Sequence, residues 1–120
     1  MFLRFSARLL APAALVALAA SYRSYAQQHP GRYAASRLRL TPEVAAASAG
    51  PRHAALARAV LLGYGVDGDD ATHAVRLIGA TVHGFISLEA AGGFDHSTPG
   101  SDASWERVLE GLDVVLRAWG

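Results

Sequence analysis

The sequence predicts an all-α protein, a bundle of five or six helices, and two observations carry this prediction. Apolar residues recur at three- and four-residue spacing through several long stretches, as they do on one face of an α-helix. No stretch shows the sustained two-residue alternation that is typical of a half-buried strand. The chain has 120 residues, of which 52% are hydrophobic. We expect residues 1–120 to form a single domain, which is large enough to bury about two thirds of its unfolded surface.

Helix-stop signals set the boundaries in the first half of the chain. A first helix is predicted from Phe2 to Gln28, before His29-Pro30-Gly31, and residues 1–12 are expected to fray or to be a non-native start. A short second helix opens with Pro30 at its first position. A third starts at Thr41-Pro42-Glu43, where Thr caps the helix. It is expected to be interrupted at Gly50-Pro51 and to end at Gly63-Tyr64-Gly65.

The second half of the chain is predicted to contain two longer helices. The fourth helix opens at Gly68-Asp69-Asp70 and ends at Gly92-Gly93, where Gly takes the left-handed conformation of a helix C-cap. The last helix is capped by Ser101 or Asp102. It carries an apolar row that fits a period of 3.6 residues: Trp105, Val108, Leu109, Leu112, Val115, Leu116 and Trp119.

The most informative segment runs from Thr81 to Phe94, TVHGFISLEAAGGF, because it is a helix with almost no polar face. A helix that is apolar nearly all round must be covered on several sides. Gly79 and Gly84 each weaken it by roughly 1 kcal/mol relative to Ala. One row holds small side chains alone: Ala80, Gly84, Ser87 and Ala91. We therefore expect this helix to pack against its own domain and against a second body.

The motifs His83-Gly84-Phe85, Ser87-Leu88-Glu89 and Gly92-Gly93-Phe94 resemble the signature of a C-terminal domain found in one branch of the TetR family of bacterial transcriptional repressors. That domain is named after a Trp-His-Gly triplet, which here reads Val82-His83-Gly84. The resemblance extends over Ala13 to Val115. Its missing Trp leaves open any pocket role that this side chain has in the family.

The resemblance implies a pocket for a small hydrophobic or aromatic effector, lined by the first, third and signature helices. Such pockets are largely apolar with a few placed polar groups, and tyrosines combine an apolar body with a hydroxyl. His83 is the candidate polar anchor, although a histidine on an apolar helix is also commonly a satisfied core residue. The predicted ligand-binding residues are Tyr22, Tyr25, Tyr64, Val82 and His83, and Tyr33 is a further tyrosine of this kind.

The resemblance also implies a homodimer, formed by the last two long helices across a two-fold axis. Small residues permit close helix crossing, and aromatic side chains dominate such contacts. The alternative is that this apolar surface is used inside one subunit. The predicted dimerisation residues are Ala80, Gly84, Phe85, Leu88, Phe94, Trp105, Leu109 and Leu112.

A complete regulator of this family begins with a helix-turn-helix domain that places one helix in the DNA major groove. No such domain precedes the first helix of this sequence, so we expect a truncated, cytoplasmic chain that contacts DNA only through that absent domain. The alternative is a small secreted or membrane-associated protein. In that case Arg4, Arg8 and the apolar run Leu9–Ala20 form a signal peptide, with the cleavage site near Ala17-Leu18-Ala19 or Tyr25-Ala26.

Charge is unevenly distributed along the chain. Before Asp67 there are eight Arg and one acid, Glu43, whereas the remainder has nine acids and three Arg. A basic half can mark an acidic partner. The simpler interpretation is that solvated helix faces pair with one another in the fold.

No constellation supports catalysis or a resident cofactor. The chain has no Cys, which excludes thiolate chemistry and Cys-ligated zinc. His73 and His83 lie roughly 15 Å apart along one helix, so they cannot share a metal ion. Ser87 has no Gly-x-Ser-x-Gly elbow around it, and Asp95-His96 is expected to be solvated. We predict no catalytic residue, no metal site and no cofactor.

Overall fold

The computed structural model describes residues 2–38, Glu43 and residues 50–120, with side chains from Leu9 onward except at Pro51. The described part contains five helices and no strand: α1 (Phe2–Gln28), α2 (Pro30–Ser36), α3 (Gly50–Tyr64), α4 (Gly68–Ala90) and α5 (Ser101–Trp119). The predicted all-α bundle is confirmed. The predicted helix start at Thr41-Pro42 lies outside the described residues, and so does most of the segment between α2 and α3.

The helix ends follow from local chemistry. Gly65 and Gly92 have φ angles of 76° and 78°, the left-handed region that ends α3 and α4. The α4 helix has Asp67 as its N-cap residue, with Asp69 and Asp70 in its first turn, where negative charge stabilises the helix dipole. The predicted cap of α5, Ser101 or Asp102, was one or two residues late, since Gly100 is the N-cap residue and Ser101 is already helical.

One hydrophobic core joins the described helices. Leu15 and Ala19 of α1, Leu61 of α3 and Leu116 of α5 are fully buried, and Ala74 of α4 lies among them. The most extensive contact is between α1 and α3, and α4 packs against both. The buried row Leu15, Ala19 and Ala26 runs through the region where a signal peptidase would cut, so cleavage would remove core residues from the fold.

One helical segment, Leu9–Gln28 of α1, is long and apolar enough to cross a membrane by length and composition. A core helix of a soluble protein and a signal sequence near the N-terminus pass the same test. In the fold, 22% of this segment is buried, and Leu15 and Ala19 are fully buried. Its outer side exposes Leu9, Leu10 and Val16.

Candidate functional site

Three aromatic side chains, each from a different helix, surround His83 of α4. His83 lies on a flank of α4, half-buried, beside the face that packs into the core. Tyr22 comes from the buried side of α1, Tyr33 is the buried residue of α2, and His53 lies in the first turns of α3. We refer to Tyr22, Tyr33, His53 and His83 as the His83 cluster.

A hydrogen bond and two edge-to-face contacts define the geometry of the His83 cluster. The Tyr33 hydroxyl is hydrogen-bonded to His83 Nδ1. The Tyr22 ring meets the His83 ring edge-on, with centroids 5.0 Å apart, and meets the His53 ring in the same way at 5.1 Å. Aromatic pairs favour this arrangement. Tyr22 is therefore held between two imidazoles.

The environment keeps His83 neutral at physiological pH. The pKa of His83 is lowered to about 4, mainly by burial and also by the nearby charges of Arg37 and His53. Burial also raises the pKa of the Tyr22 and Tyr33 hydroxyls, against the opposing effect of Arg37. Tyr22, Tyr33 and His83 thus present neutral hydrogen-bonding groups, and small-molecule sites use a few placed polar groups of this kind.

Arg37 lies at the edge of the cluster that faces solvent. Its guanidinium carbon is 5.6 Å from the centre of the Tyr33 ring, within the range of a cation–π contact. Ser87, one turn beyond His83 on α4, contributes a hydroxyl near Tyr33 that partly offsets the rise in the Tyr33 pKa. Arg37 thus places a guanidinium beside this cluster.

A second polar constellation, centred on Arg23, joins α1 to α4 and α5. Arg23 donates from Nε to Glu89 Oε1 at 3.0 Å and from Nη2 to Glu89 Oε2 at 2.5 Å. A further bond reaches Asp102 at 2.7 Å, and the guanidinium lies 5.1 Å from the centre of the Trp105 ring. These contacts fix α1 next to the C-terminal end of α4.

Two of the predicted ligand-binding tyrosines lie away from the His83 cluster. Tyr64 is buried at the end of α3, where its hydroxyl donates to Asp113 Oδ1 at 2.7 Å. It is roughly 16 Å from His53 along α3 at 1.5 Å per residue. Tyr25 is exposed and packs on His29. Val82 is 1% exposed and belongs to the core, so of the predicted set the structure brings together Tyr22 and His83.

The predicted dimerisation residues divide into an outward set and an inward set. Ala80, Gly84 and Leu88 of α4 are exposed, and Leu88 retains 55% of its accessible surface. Phe94 is half-buried against Phe85. The rest are buried inside this subunit: Phe85, Trp105, Leu109 and Leu112. These four side chains pack inside the subunit. The surface available to a partner therefore contains fewer of the predicted residues than the sequence suggested.

The exposed side of α4 has an uncharged stretch formed by Ala80, Gly84, Ser87, Leu88 and Ala91. A Cβ added at Gly84 would meet no atom of this subunit within 4 Å. No neighbour among the described residues therefore explains why a helix-weakening Gly occupies this position. We call this stretch the small-residue face of α4.

On α5, apolar and charged side chains are separated by rotation around the helix. One flank of the buried row carries Val108, Gly111, Val115 and Trp119, and Gly111 likewise has open space at its Cβ. The opposite flank carries charged side chains and two ion pairs within the helix, Arg107–Glu110 and Asp113–Arg117.

An open groove of about 450 Å³ lies between α1 and α5. Pro12, Leu15 and Val16 form one wall, and Trp105 and Leu109 form the other. Its rim is acidic, with carboxylates from Glu106, Glu110 and Asp113. This groove does not include His83, so it is separate from the His83 cluster.

Sequence reasoning missed His53, Arg37 and Arg23. Their partners lie on other helices, at sequence separations such as the 66 residues between Arg23 and Glu89, and periodicity within one helix carries no information about them. In the described part of the chain, no three His, Asp or Glu side chains come close enough to hold a metal ion.

Comparisons with known proteins agree with this architecture. A family model described as "Tetracyclin repressor-like, C-terminal domain" matches residues 15–112. An uncharacterised HTH-type transcriptional regulator of Mycobacterium tuberculosis (strain ATCC 25618 / H37Rv) is 41% identical over 108 residues, which cover 87% of this chain and 45% of that protein. The chain thus spans about half the length of this relative. No solved structure matches the chain significantly.

The family match begins within α1 and continues into α5, so it includes the helices that form the His83 cluster. The family is one of transcriptional regulators and not of enzymes. The chain belongs to the C-terminal domains of TetR-family transcriptional regulators.

Proposed function

We propose that this chain is the effector-sensing and homodimerisation domain of a TetR-type transcriptional regulator. The observation that carries the sensing role is the convergence of Tyr22, Tyr33 and His83 from three helices on one half-buried, uncharged polar site. Interior polar groups that served packing alone would be simpler to replace by apolar side chains. A site between helices of a bundle is a common place for a small molecule.

Dimerisation is supported by the exposed small-residue face of α4 and the uncharged flank of α5. The relative that this chain resembles over 45% of that protein's length is named as an HTH-type regulator. We propose that the chain contacts DNA through such an N-terminal domain and not through its own helices, and that it acts in the cytoplasm, where operator DNA is found. Effector binding near α1, the first helix of the chain, would then reach that domain directly.

The sensing role is tested by ligand-observed NMR with a panel of small aromatic and aliphatic molecules, followed by titration of the His83 ring resonances. We expect binders with Kd below the millimolar range whose affinity falls about tenfold in Tyr33→Phe, because the variant leaves His83 without its hydrogen-bond partner. Tyr64→Phe is the matched control, since it removes a buried hydroxyl outside the cluster. Equal affinities in the two variants would refute the site.

Dimerisation is tested by sedimentation equilibrium of the whole chain at tens of micromolar. The expected mass is twice the 12.6 kDa of one chain. A stable, soluble monomer at that concentration would remove the dimer from the proposal and leave the sensing role to stand on its own test.

A further inference from the structure

The three N-terminal helices that contribute to the His83 cluster carry no carboxylate. The ranges of α1, α2 and α3 contain Arg side chains but neither Asp nor Glu, and Glu43 is the one acid before Asp67. On α4, Glu89 is the acid closest in sequence to His83, and it is already bonded to Arg23. These three helices therefore place no carboxylate beside the cluster.

The charged side chain beside the cluster is Arg37, a cation. Arg37 lies over the Tyr33 ring, and both Arg37 and His53 disfavour a proton on His83. All ion pairs among the described residues involve Arg23, Arg107 or Arg117. Arg37 thus places positive charge at the solvent side of an apolar site without an ion-pair partner among the described residues.

Resting on the proposed sensing function, we propose that the effector is a hydrophobic organic carboxylate, with its acid group beside Arg37 and its apolar body against Tyr22, Tyr33 and His83. A guanidinium matches the geometry of a carboxylate and is its preferred partner in proteins. The aromatic rings supply the apolar contact area. The charged group of such a ligand would match Arg37, and its apolar part would match the aromatic rings of the cluster.

The hydrogen bond between Tyr33 and His83 fits the same ligand. A phenol O–H is a stronger acid than a neutral imidazole N–H, so the Tyr33 hydroxyl donates to Nδ1. The proton of the neutral ring then lies on Nε2, because the hydrogen bond at one ring nitrogen sets the tautomer. His83 consequently offers an N–H donor, and a carboxylate accepts hydrogen bonds without donating any.

The groove between α1 and α5 would select against such a molecule. Its rim carboxylates, Glu106, Glu110 and Asp113, would repel an anionic head. A carboxylate and its neutral amide therefore discriminate between the His83 cluster and the groove, because Arg37 beside the cluster favours the acid and the acidic rim of the groove favours the amide.

The test uses three acid–amide pairs with a shared apolar body: naphthoate and naphthamide, phenylacetate and phenylacetamide, decanoate and decanamide. Dissociation constants are measured from the His83 ring resonances of the whole chain. We expect the acids to bind about tenfold more tightly than their amides, as hydrogen bonds to a charged group imply. The Arg37→Gln variant should abolish that difference. The Arg76→Gln variant is the control, because it removes the same charge from the exposed side of α4.

Each other outcome decides a different point. Amides that bind as tightly as acids, with both weakened in Tyr33→Phe, would overturn the carboxylate proposal and leave the sensing function intact. An acid preference that survives Arg37→Gln would overturn the anion site assigned to Arg37. If no member of any pair shifts the His83 resonances at millimolar concentration, the sensing function fails together with the carboxylate proposal.

Discussion

The guanidinium of Arg23 on α1 holds the carboxylate of Glu89 on α4 through two parallel hydrogen bonds, of 3.0 and 2.5 Å, across 66 residues of sequence. Both side chains are largely shielded, with 13% and 18% of their surfaces exposed. A paired arrangement of this kind fixes orientation as well as distance. Since Tyr22 is the residue before Arg23, the same contact also sets where Tyr22 meets His83.

Arg23→Met should destabilise the domain by about 2 kcal/mol, because it keeps an apolar stem but leaves the shielded Glu89 carboxylate without its partner. Urea unfolding followed by circular dichroism measures the change. Asp102→Asn is the control. Asp102 also bonds Arg23 but is 92% exposed, and exposed ion pairs contribute little. An equal loss in the two variants would show that the shielding of Glu89 has no energetic consequence.

Stability should fall as the pH is lowered from about 6.5 towards 4. The pKa of His83 is about 4 in the folded chain against an ordinary value of 6.5, so the unfolded chain takes up the proton first and acid favours unfolding. Down to pH 5.5, protonation of Glu89 does not contribute to this loss of stability, because the bond from Arg23 holds the pKa of Glu89 below its usual range. Thermal melts of the chain and of His83→Gln should converge as the pH falls from 7.5 to 5.5. Parallel pH profiles would contradict the buried, neutral His83.

Tyr64→Phe should destabilise the domain by about 1.5 kcal/mol, since the Tyr64 hydroxyl is buried and donates to the Asp113 carboxylate. Burial and this hydrogen bond also raise the pKa of Tyr64. Tyr25→Phe removes an exposed hydroxyl and should change the free energy of unfolding by less than about 0.5 kcal/mol. Denaturant titrations of both variants check the prediction. A Tyr64 variant as stable as the Tyr25 variant would mean that the contact with Asp113 is not formed in solution.

Gly84→Leu should convert the proposed dimer to a monomer without disturbing the fold, because a side chain at this position points into open space in the single subunit. Gly31→Leu is the matched control on α2, where the added side chain also meets no atom within 4 Å. Sedimentation velocity separates the two variants. A dimer that tolerates Leu at position 84 would place the interface somewhere other than the small-residue face of α4.

Local features of the structure were predictable from the sequence. The ends of α1 and α4 follow from Pro30 and Gly92, and the buried row of α5 follows from its period of 3.6 residues. These signals act within one helix or at its ends, and the short-range rules for helices describe them directly.

The partner of each polar side chain was not predictable. Tyr64 and Tyr22 look alike in sequence, since each is an aromatic on an apolar helix, yet Tyr64 bonds Asp113 and Tyr22 meets His83. The difference depends on which helices are neighbours at each level of the bundle. Phe85 and Trp105 show the same limit, because periodicity identifies an apolar side chain but not whether the core or a second subunit covers it.

The most direct test of a ligand site at His83 is where a bound probe lies. Intermolecular nuclear Overhauser effects between naphthoate and the isotope-labelled chain measure this. We expect contacts from the naphthalene protons to the rings of Tyr22, Tyr33 and His83. Contacts to Leu15, Val16 and Trp105 instead would place the ligand in the groove between α1 and α5 and contradict the account.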